Sequence, residues 1–202
     1  MRESLVEAKY SARLVIVSVK IFVERQSAGK TIYESQVTTT MNQTTSNQWL
    51  KKVPQEVGWY LAGFVDGEGS FNVSLKKVSD YQLKWKVEPS FNVSQRDISN
   101  LILLKKSLGT GRLRKRKDGV AYFEVRNYKM LYERVIPFFE KFSFRSRLKV
   151  RNFSIFKKIV KLMARGEHLT EEGFKKILLL REKLNEGKGR TRKYSLTDYL
   201  DS

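Results

Sequence analysis

The chain has 202 residues, and its 40 Lys and Arg against 21 Asp and Glu give a formal charge of +19. Such an excess indicates nucleic acid, an anionic membrane surface or an acidic protein as the partner. The sequence has no cysteine and one histidine, His168, which excludes disulfides, thiolate zinc sites, cysteine nucleophiles and nearly all histidine-based catalysis. Any catalytic chemistry must therefore rest on carboxylates, amides, lysines and a hard metal ion.

The first 53 residues differ from the rest of the chain and carry no recognisable chemistry. LVIVSVKIFVE (14–24) is rich in β-branched apolar residues and predicts a strand, whereas TTTMNQTTSNQ (38–48) is typical of a polar linker. No run of about 18 apolar residues occurs, so neither a membrane span nor a membrane partner is expected. We therefore predict an N-terminal extension over 1–53 and an ordered domain that begins at Pro54.

The periodicity of apolar residues predicts the elements of this domain. Apolar residues recur with helical spacing in five segments and alternate with polar residues in four. The predicted helices cover 54–66, 98–109, 130–142, 147–166 and 168–185, and the predicted strands cover 70–76, 84–94 and both arms of a hairpin over 111–127. The order is α-β-β-α-β-β-α with extra C-terminal helices, an α+β fold with an antiparallel sheet. A basic tail follows over 186–202, and its segment YSLTDYL (194–200) is expected to dock on the domain or to recognise a partner.

One face of the predicted sheet is polar and strongly basic. A two-stranded ribbon fits the major groove of DNA, where such side chains contact phosphates and read base edges. The alternative is the ordinary charged face of an antiparallel sheet, which is less favoured because four strands of a chain with charge +19 share the pattern. The predicted DNA-binding residues are Asn72, Ser74, Lys76, Lys84, Lys86, Ser90, Asn92, Arg112, Arg114, Arg116, Tyr122, Glu124 and Arg126.

Single-stranded RNA is the close competitor of duplex DNA as a ligand for this face. Sheets that bind single strands usually offer exposed aromatic side chains for base stacking. Here Phe71, Trp85, Phe91 and Phe123 alternate onto the apolar face, and only Tyr122 falls on the polar face. The pattern therefore favours duplex DNA.

The stretch GWYLAGFVDGEGS (58–70) ends a predicted helix with two acids, Asp66 and Glu68, although a helix C-terminus prefers cations. Its small residues at 58, 62, 63 and 67 allow two backbones to approach closely, and the alternative is a helix packed tightly on its own sheet. If two copies pack along this helix, their Glu68 carboxylates repel unless a divalent cation is bound. Carboxylate, carbonyl and water oxygens are ligands that suit Mg²⁺.

LAGFVDGEG (61–69) closely resembles the signature of the LAGLIDADG homing endonucleases. The predicted order of elements over 54–165 is also similar, as are FNVSQRD (91–97) and a basic stretch that ends in Lys149. The resemblance implies a homing-endonuclease-like fold over 54–185, with a Mg²⁺ or other divalent cation as cofactor. It implies that Glu68 is the essential metal ligand, that the Gly67 carbonyl also contacts metal, and that Gln95 orients a water near the scissile phosphate.

The resemblance also implies that Lys149 stabilises charge beside that water, with Lys105, Lys141 and Arg151 as alternative candidates. Relatives often carry a basic residue four positions after the glutamine, where this chain has Ser99.

Only one signature is present, and a single copy implies a homodimer that binds a long, roughly palindromic double-stranded DNA site. The interface is predicted to contain Gly58, Leu61, Ala62, Gly63 and Asp66.

The leading expectation is a Mg²⁺-dependent endonuclease that cuts both strands of a specific DNA site, as the proteins of mobile introns do. The second is a non-cutting relative that acts as an intron-RNA splicing maturase or a DNA-binding regulator. The third is an unrelated basic RNA-binding protein of the ribosomal type. The intact Glu68 favours the first expectation over the second, and the aromatic residues of the sheet argue against the third.

Overall fold

The computed structural model describes residues 26–27, 30–31, 47–186 and 192–200 of a chain that divides into two compact units, 1–41 and 42–202. In the first unit, the description covers one short antiparallel pair, β1 (Gln26–Ser27) and β2 (Lys30–Thr31). The strand predicted over 14–24 and most of the linker predicted over 38–48 lie outside the described residues.

The second unit contains the predicted elements in the predicted order, which confirms the α+β fold. Its helices are α1 (Gln48–Lys51), α2 (Gln55–Glu68), α3 (Ser99–Leu108), α4 (Tyr128–Met130), α5 (Ile136–Lys141), α6 (Arg147–Ala164), α7 (Glu171–Glu182) and α8 (Leu196–Leu200). Its strands are β3 (Gly69–Lys77), β4 (Trp85–Gln95), β5 (Arg112–Lys115) and β6 (Ala121–Val125). A π-helical turn (Leu131–Val135) joins α4 to α5, and a 3₁₀ turn (Glu167–Leu169) lies between α6 and α7.

The four strands form an antiparallel sheet in the order β3-β4-β6-β5. Strand β4 pairs with β3 from Trp85 to Val93, but with β6 only from Phe91 to Gln95. Pro89 lies where β4 has a neighbour on one side only, so its missing N–H interrupts no bond to β6. Proline is thus tolerated at this edge position, although β4 is a central strand farther along.

The apolar face of the sheet is the centre of the core. Phe71, Trp85, Phe91 and Phe123 are each at most 2% exposed, which confirms the predicted alternation. The Phe71 ring lies 5.2 Å from the Phe91 ring and 5.0 Å from that of Phe156 on α6, so aromatic packing joins sheet and helix. The sheet thus has its other face available for binding.

Local signals in the sequence place several helix ends correctly. Gly109 closes α3 in the left-handed conformation, with φ of 66°, and Thr170 caps α7 by accepting a bond from the Gly173 N–H at 3.1 Å. Leu50 and Val53 are buried in the same core, so residues before Pro54 also contribute to the unit. No helix among the described residues is long and apolar enough to span a membrane.

Candidate metal and nucleic-acid site

Helix α2 passes directly into β3 at the motif that ends in Glu68 and Gly69. A Cβ atom at Gly69 would lie 2.5 Å from Val65 Cγ1 and 2.8 Å from Val65 O, so this junction requires glycine. Glu68 is the last helical residue and is exposed, and its carboxylate makes no hydrogen bond or ion pair with any described residue. The fold therefore presents one free carboxylate at a negatively polarised helix end.

Asp66, the other acid of the motif, binds within its own chain. Its Oδ2 accepts hydrogen bonds from the Arg145 and Ser146 amides, both at 2.9 Å, and its Oδ1 accepts one from the Ser146 hydroxyl. Burial alone would raise the pKa of Asp66, but these bonds together hold it below the ordinary value. Its carboxylate thus fastens α2 to the start of α6, and its place in a dimer interface stays a prediction.

Lys149 lies in the first turn of α6 and reaches back to the same junction. Its amine donates a hydrogen bond to the Gly69 carbonyl. Burial lowers the pKa of Lys149, and the nearby Asp66 and Glu68 carboxylates oppose that change. The predicted Glu68 and Lys149 are therefore brought together.

The alternatives to Lys149 are less suited to this role. The Lys141 amine donates to the Leu50 carbonyl at 3.1 Å, and Arg151 is paired with Glu186. Lys105 is exposed on α3, which is a separate helix that follows β4. Among these candidates, Lys149 is the residue with a contact at the α2–β3 junction in the described part of the chain.

Gln95 ends β4 beside this junction. Val93 is paired with Gly69, so Gln95, two residues later, extends past the start of β3 towards the end of α2. Its Oε1 is buried and has no hydrogen-bond partner among the described residues. A buried polar atom without a partner costs free energy, which suits a position completed by water or a bound molecule.

The donor atoms at the junction suit a hard cation but do not complete its coordination. No group of three or more His, Asp or Glu side chains in the described parts of the chain is placed so that it could hold a metal ion by itself. The available ligands are the Glu68 carboxylate and the nearby backbone carbonyls, including that of Gly67, and such oxygen atoms are preferred by Mg²⁺. The remaining oxygens must come from water or from another molecule.

Helix α2 has a buried face and an exposed face, and the predicted interface residues are divided between them. Gly58, Leu61 and Ala62 are buried inside the chain, and a Cβ at Gly58 would lie 2.2 Å from Phe142 Cζ. These three residues pack on their own domain, and their place in a dimer interface stays a prediction. Gly63, in contrast, is exposed, and a Cβ there would meet no described atom within 4 Å.

The exposed face of α2 contains residues that the sequence reasoning missed. Trp59 and Tyr60 are 42% and 54% exposed, and with Gly63 and Gly67 they form a stripe on one side of the helix. Gly67 also has no described atom within 4 Å of an added Cβ. The helical spacing of Tyr60, Gly63 and Gly67 is visible in the sequence. Gly58 and Ala62 have an equally regular spacing, so the pattern alone does not show which side of the helix is exposed.

The register of the sheet aligns the polar residues in rows. Ser94, Tyr122 and Arg114 lie opposite one another, as do Lys76 and Lys86. Exposed members of the predicted set are Ser74, Lys76, Arg112, Arg114, Arg116 and Arg126, and partly buried members are Asn72, Lys86, Ser90, Asn92 and Tyr122. Burial raises the pKa of Tyr122, and the charge of Glu124 adds to this effect.

Two predicted members of this face have a different setting. Glu124 is only 7% exposed, and its carboxylate pairs with the Arg126 guanidinium at 2.7 Å. Lys84 precedes β4 in a turn with φ of 54°, so it is not part of the strand alternation. The ion pair neutralises Arg126 in part, and Glu88 on β4 pairs in the same way with Lys86 at 3.1 Å.

Comparison with known proteins gives a consistent set of relatives. Residues 61–160 match the family model described as LAGLIDADG endonuclease. The "Probable intron-encoded endonuclease 2" of Neurospora crassa is 34% identical over 145 residues, which are 70% of this chain and 32% of that protein. The "DNA endonuclease I-CeuI" of Chlamydomonas moewusii is 32% identical over 147 residues, 69% of this chain and 67% of that protein.

A solved structure is similar along nearly its whole length. The archaeal intron-encoded homing endonuclease I-Vdi141I, complexed with DNA, superposes with a TM-score of 0.65 at 31% identity, covering 71% of this chain and 92% of that one. The present chain spans about a third of the Neurospora relative and two thirds of I-CeuI.

Proposed function

The chain belongs to the LAGLIDADG endonuclease family, and from that premise we propose that it is a homing endonuclease of a mobile intron that cuts both strands of a specific DNA site. The observation that carries the proposal is the free Glu68 carboxylate at the α2–β3 junction, beside Lys149 and the end of β4. The names of the Neurospora and Chlamydomonas relatives support it, and so does the DNA complex of the archaeal neighbour.

We propose Mg²⁺ as the cofactor, held by the Glu68 carboxylate and the Gly67 carbonyl. When bound, such an ion lowers the pKa of a coordinated water and stabilises negative charge on phosphate oxygens. The Lys149 ammonium, fixed against the Gly69 carbonyl, contributes positive charge at the same place. The Gln95 amide has an unpaired oxygen that can accept a hydrogen bond from water and thereby orient it.

We further propose that two copies pack through the exposed face of α2. Gly63 and Gly67 each cost about 1 kcal/mol of helix stability relative to alanine, and nothing within their own described chain needs the space. A second helix lying across these glycines would explain them, with Trp59 and Tyr60 on either side. The two-fold contact would bring together two Glu68 carboxylates and two polar sheet faces, which fits a long, roughly palindromic site.

Duplex DNA is the proposed ligand of the polar face of the sheet. Arg112, Arg114 and Arg116 alternate along and just beyond β5, and Lys76 lies opposite Lys86 on the β3–β4 pair. These side chains supply phosphate contacts, whereas Asn72, Ser74 and similar polar residues can read base edges. Helix packing covers the opposite face, so the aromatic side chains there cannot stack on bases.

The direct test uses DNA that spans the intron-less insertion site of the gene that contains this reading frame. The protein is incubated with this duplex in Mg²⁺ and, separately, in Ca²⁺, and both binding and strand cleavage are measured. We expect binding in both ions and double-strand cleavage in Mg²⁺. Binding without cleavage under either condition would exclude the nuclease and favour a DNA-binding regulator.

A further inference from the structure

The outer half of the β3–β4 pair projects beyond the rest of the sheet as a two-stranded ribbon. It consists of residues 72–77 paired with 85–90, and β6 runs alongside β4 only from Phe91 onwards. We call it the distal ribbon. Two strands alone are marginally stable in water, yet this ribbon carries Lys76 and Lys86 on the proposed DNA-binding face. It therefore needs support from its apolar side.

The C-terminal segment 192–200 supplies that support. Trp85, on the apolar side of the ribbon, is 2% exposed. The Tyr194 ring meets it edge-on at 5.0 Å, and the Tyr199 ring lies 6.5 Å from it. Tyr199 also lies 4.9 Å from Phe174 on α7, so the segment joins the ribbon to the helical layer. The Lys77 ammonium lies 4.9 Å from the Trp85 ring and 5.8 Å from that of Tyr194.

Polar contacts fix the segment to the end of α7. The Arg192 guanidinium pairs with Glu182 and donates to the carbonyls of Arg181 at 2.6 Å and Leu184 at 2.8 Å. The Arg181 carbonyl also accepts from the Leu184 N–H at 3.0 Å, so Arg192 adds to the bonds that close the last turn of the helix. Arg192 thus caps α7 and starts the segment in a defined direction.

The same end of α7 is bonded to the open edge of β3. The Arg181 side chain, 4% exposed, donates from Nε to the Val73 carbonyl at 2.9 Å. The Asn185 amide donates to the Phe71 carbonyl at 2.7 Å. Both bonds occupy carbonyls on an edge that has no neighbouring strand in the described part of the chain. The end of α7 therefore holds the edge of the ribbon, and segment 192–200, bonded to that end through Arg192, covers its apolar side.

We infer that segment 192–200 is a positioning element for DNA recognition. It fixes the orientation of the distal ribbon, and this orientation determines how the ribbon reads the outer base pairs of each half-site. The inference rests on the proposed function. Strand residues rise roughly 3.3 Å each, so Lys77 lies about 26 Å along β3 from Gly69 at the proposed cleavage centre. At 3.4 Å per base pair, the ribbon reaches up to about eight base pairs from that centre.

The experiment compares Tyr194→Ala with Tyr194→Phe, which keeps the ring that contacts Trp85. Leu169→Ala is the matched control, because it removes a side chain that is 63% exposed in the 3₁₀ turn. Two readouts are made on the full chain. One is the affinity for a set of duplexes, each with one base pair changed. The other is amide hydrogen exchange without DNA, compared between the distal ribbon and residues 91–95.

For Tyr194→Ala we expect loss of discrimination at the outer base pairs, on the order of tenfold per position, with the central positions unchanged. Exchange should accelerate in the distal ribbon but not in 91–95, and Tyr194→Phe and Leu169→Ala should match the wild type. Unchanged exchange in the ribbon, or an equal loss at central and outer positions, would overturn the inference.

A second variant and the exchange readout make every outcome of the experiment interpretable. If Tyr194→Ala does not fold, Arg192→Gln releases the segment from α7 instead and must give the same pattern. If the wild type binds no duplex DNA, the proposed function fails, whereas the exchange measurement still decides whether the segment holds the ribbon.

Discussion

The two glycines on opposite faces of α2 give a paired prediction about dimerisation. In Gly63→Ala, the new Cβ meets no described atom within 4 Å. The isolated chain should therefore gain the helix propensity of alanine, about 1 kcal/mol. In the dimer, the same methyl group would lie where two helices are proposed to touch, and its two-fold mate doubles the effect. Gly63→Ala is expected to stabilise the monomer and weaken the dimer.

Gly58→Ala is the matched variant on the buried face. Its Cβ would lie 2.2, 2.3 and 2.5 Å from three atoms of the Phe142 ring, so the ring or the helix must move. Such overpacking costs about 1 to 3 kcal/mol, against a gain of about 1 kcal/mol in helix propensity. The steric cost exceeds the gain in helix propensity, and we expect the folded chain to be destabilised by up to about 2 kcal/mol.

Sedimentation velocity over a range of concentrations measures the dimer dissociation constant, and urea unfolding at low concentration measures the stability of the chain. For Gly63→Ala, we expect a dissociation constant raised about tenfold or more, which corresponds to at least 1.4 kcal/mol, together with higher monomer stability. Gly58→Ala should lower the free energy of unfolding. A Gly63→Ala protein that dimerises like the wild type would refute the proposed contact.

Four further results are expected at the junction and the sheet. Lys149→Met should abolish cleavage while leaving DNA affinity within a few-fold, as gel-shift and cleavage assays on one duplex would show; equal loss of both would assign Lys149 to binding. Since burial lowers the pKa of Lys149 and Asp66 opposes this, cleavage should decline as pH rises towards that pKa, and Asp66→Asn should move the decline to lower pH. The pKa of Asp66 is lower in the folded chain than in the unfolded chain. The stability that its carboxylate contributes is therefore present above the unfolded-state pKa and is lost as pH falls through the folded-state pKa. Urea unfolding between pH 5 and 2 (about the range for a carboxylate) should show a smaller loss of unfolding free energy for Asp66→Asn than for the wild type. Binding should weaken steeply with salt, because several phosphates are neutralised per half-site, and a flat salt response would contradict the role of the basic face.

Much of the fold follows from local patterns in the sequence. The alternation of Phe71, Phe91 and Phe123 with polar residues is enough to place one buried sheet face, and it is confirmed. The junction motif is also local, because Gly69 is dictated by contact with Val65 four residues earlier. Such features depend on residues that are close in the chain, so a single sequence contains the information that predicts them.

Other features depend on which residues far apart in the chain come into contact. The spacing of apolar and polar residues alone does not predict those contacts. Helix α2 has small residues on two sides, and only the packing of Phe142 shows that Gly58 is buried and Gly63 is free. Asp66 contacts residues 79 and 80 positions later, a pairing that no local spacing predicts. Glu124 has the position of an exposed residue in the alternation. It lies between Asn92 of β4 and Arg112 of β5, however, and there it is buried and paired with Arg126.

The central claim is that Glu68 holds the metal that makes this basic sheet a nuclease. Its most direct test is Glu68→Gln, a substitution of nearly equal size on a side chain that makes no bond within the described chain. Binding and cleavage of the insertion-site duplex in Mg²⁺ are measured side by side with the wild type. We expect wild-type folding, DNA affinity within a few-fold and no detectable double-strand cleavage. Cleavage at an undiminished rate would show that Glu68 does not hold the catalytic metal.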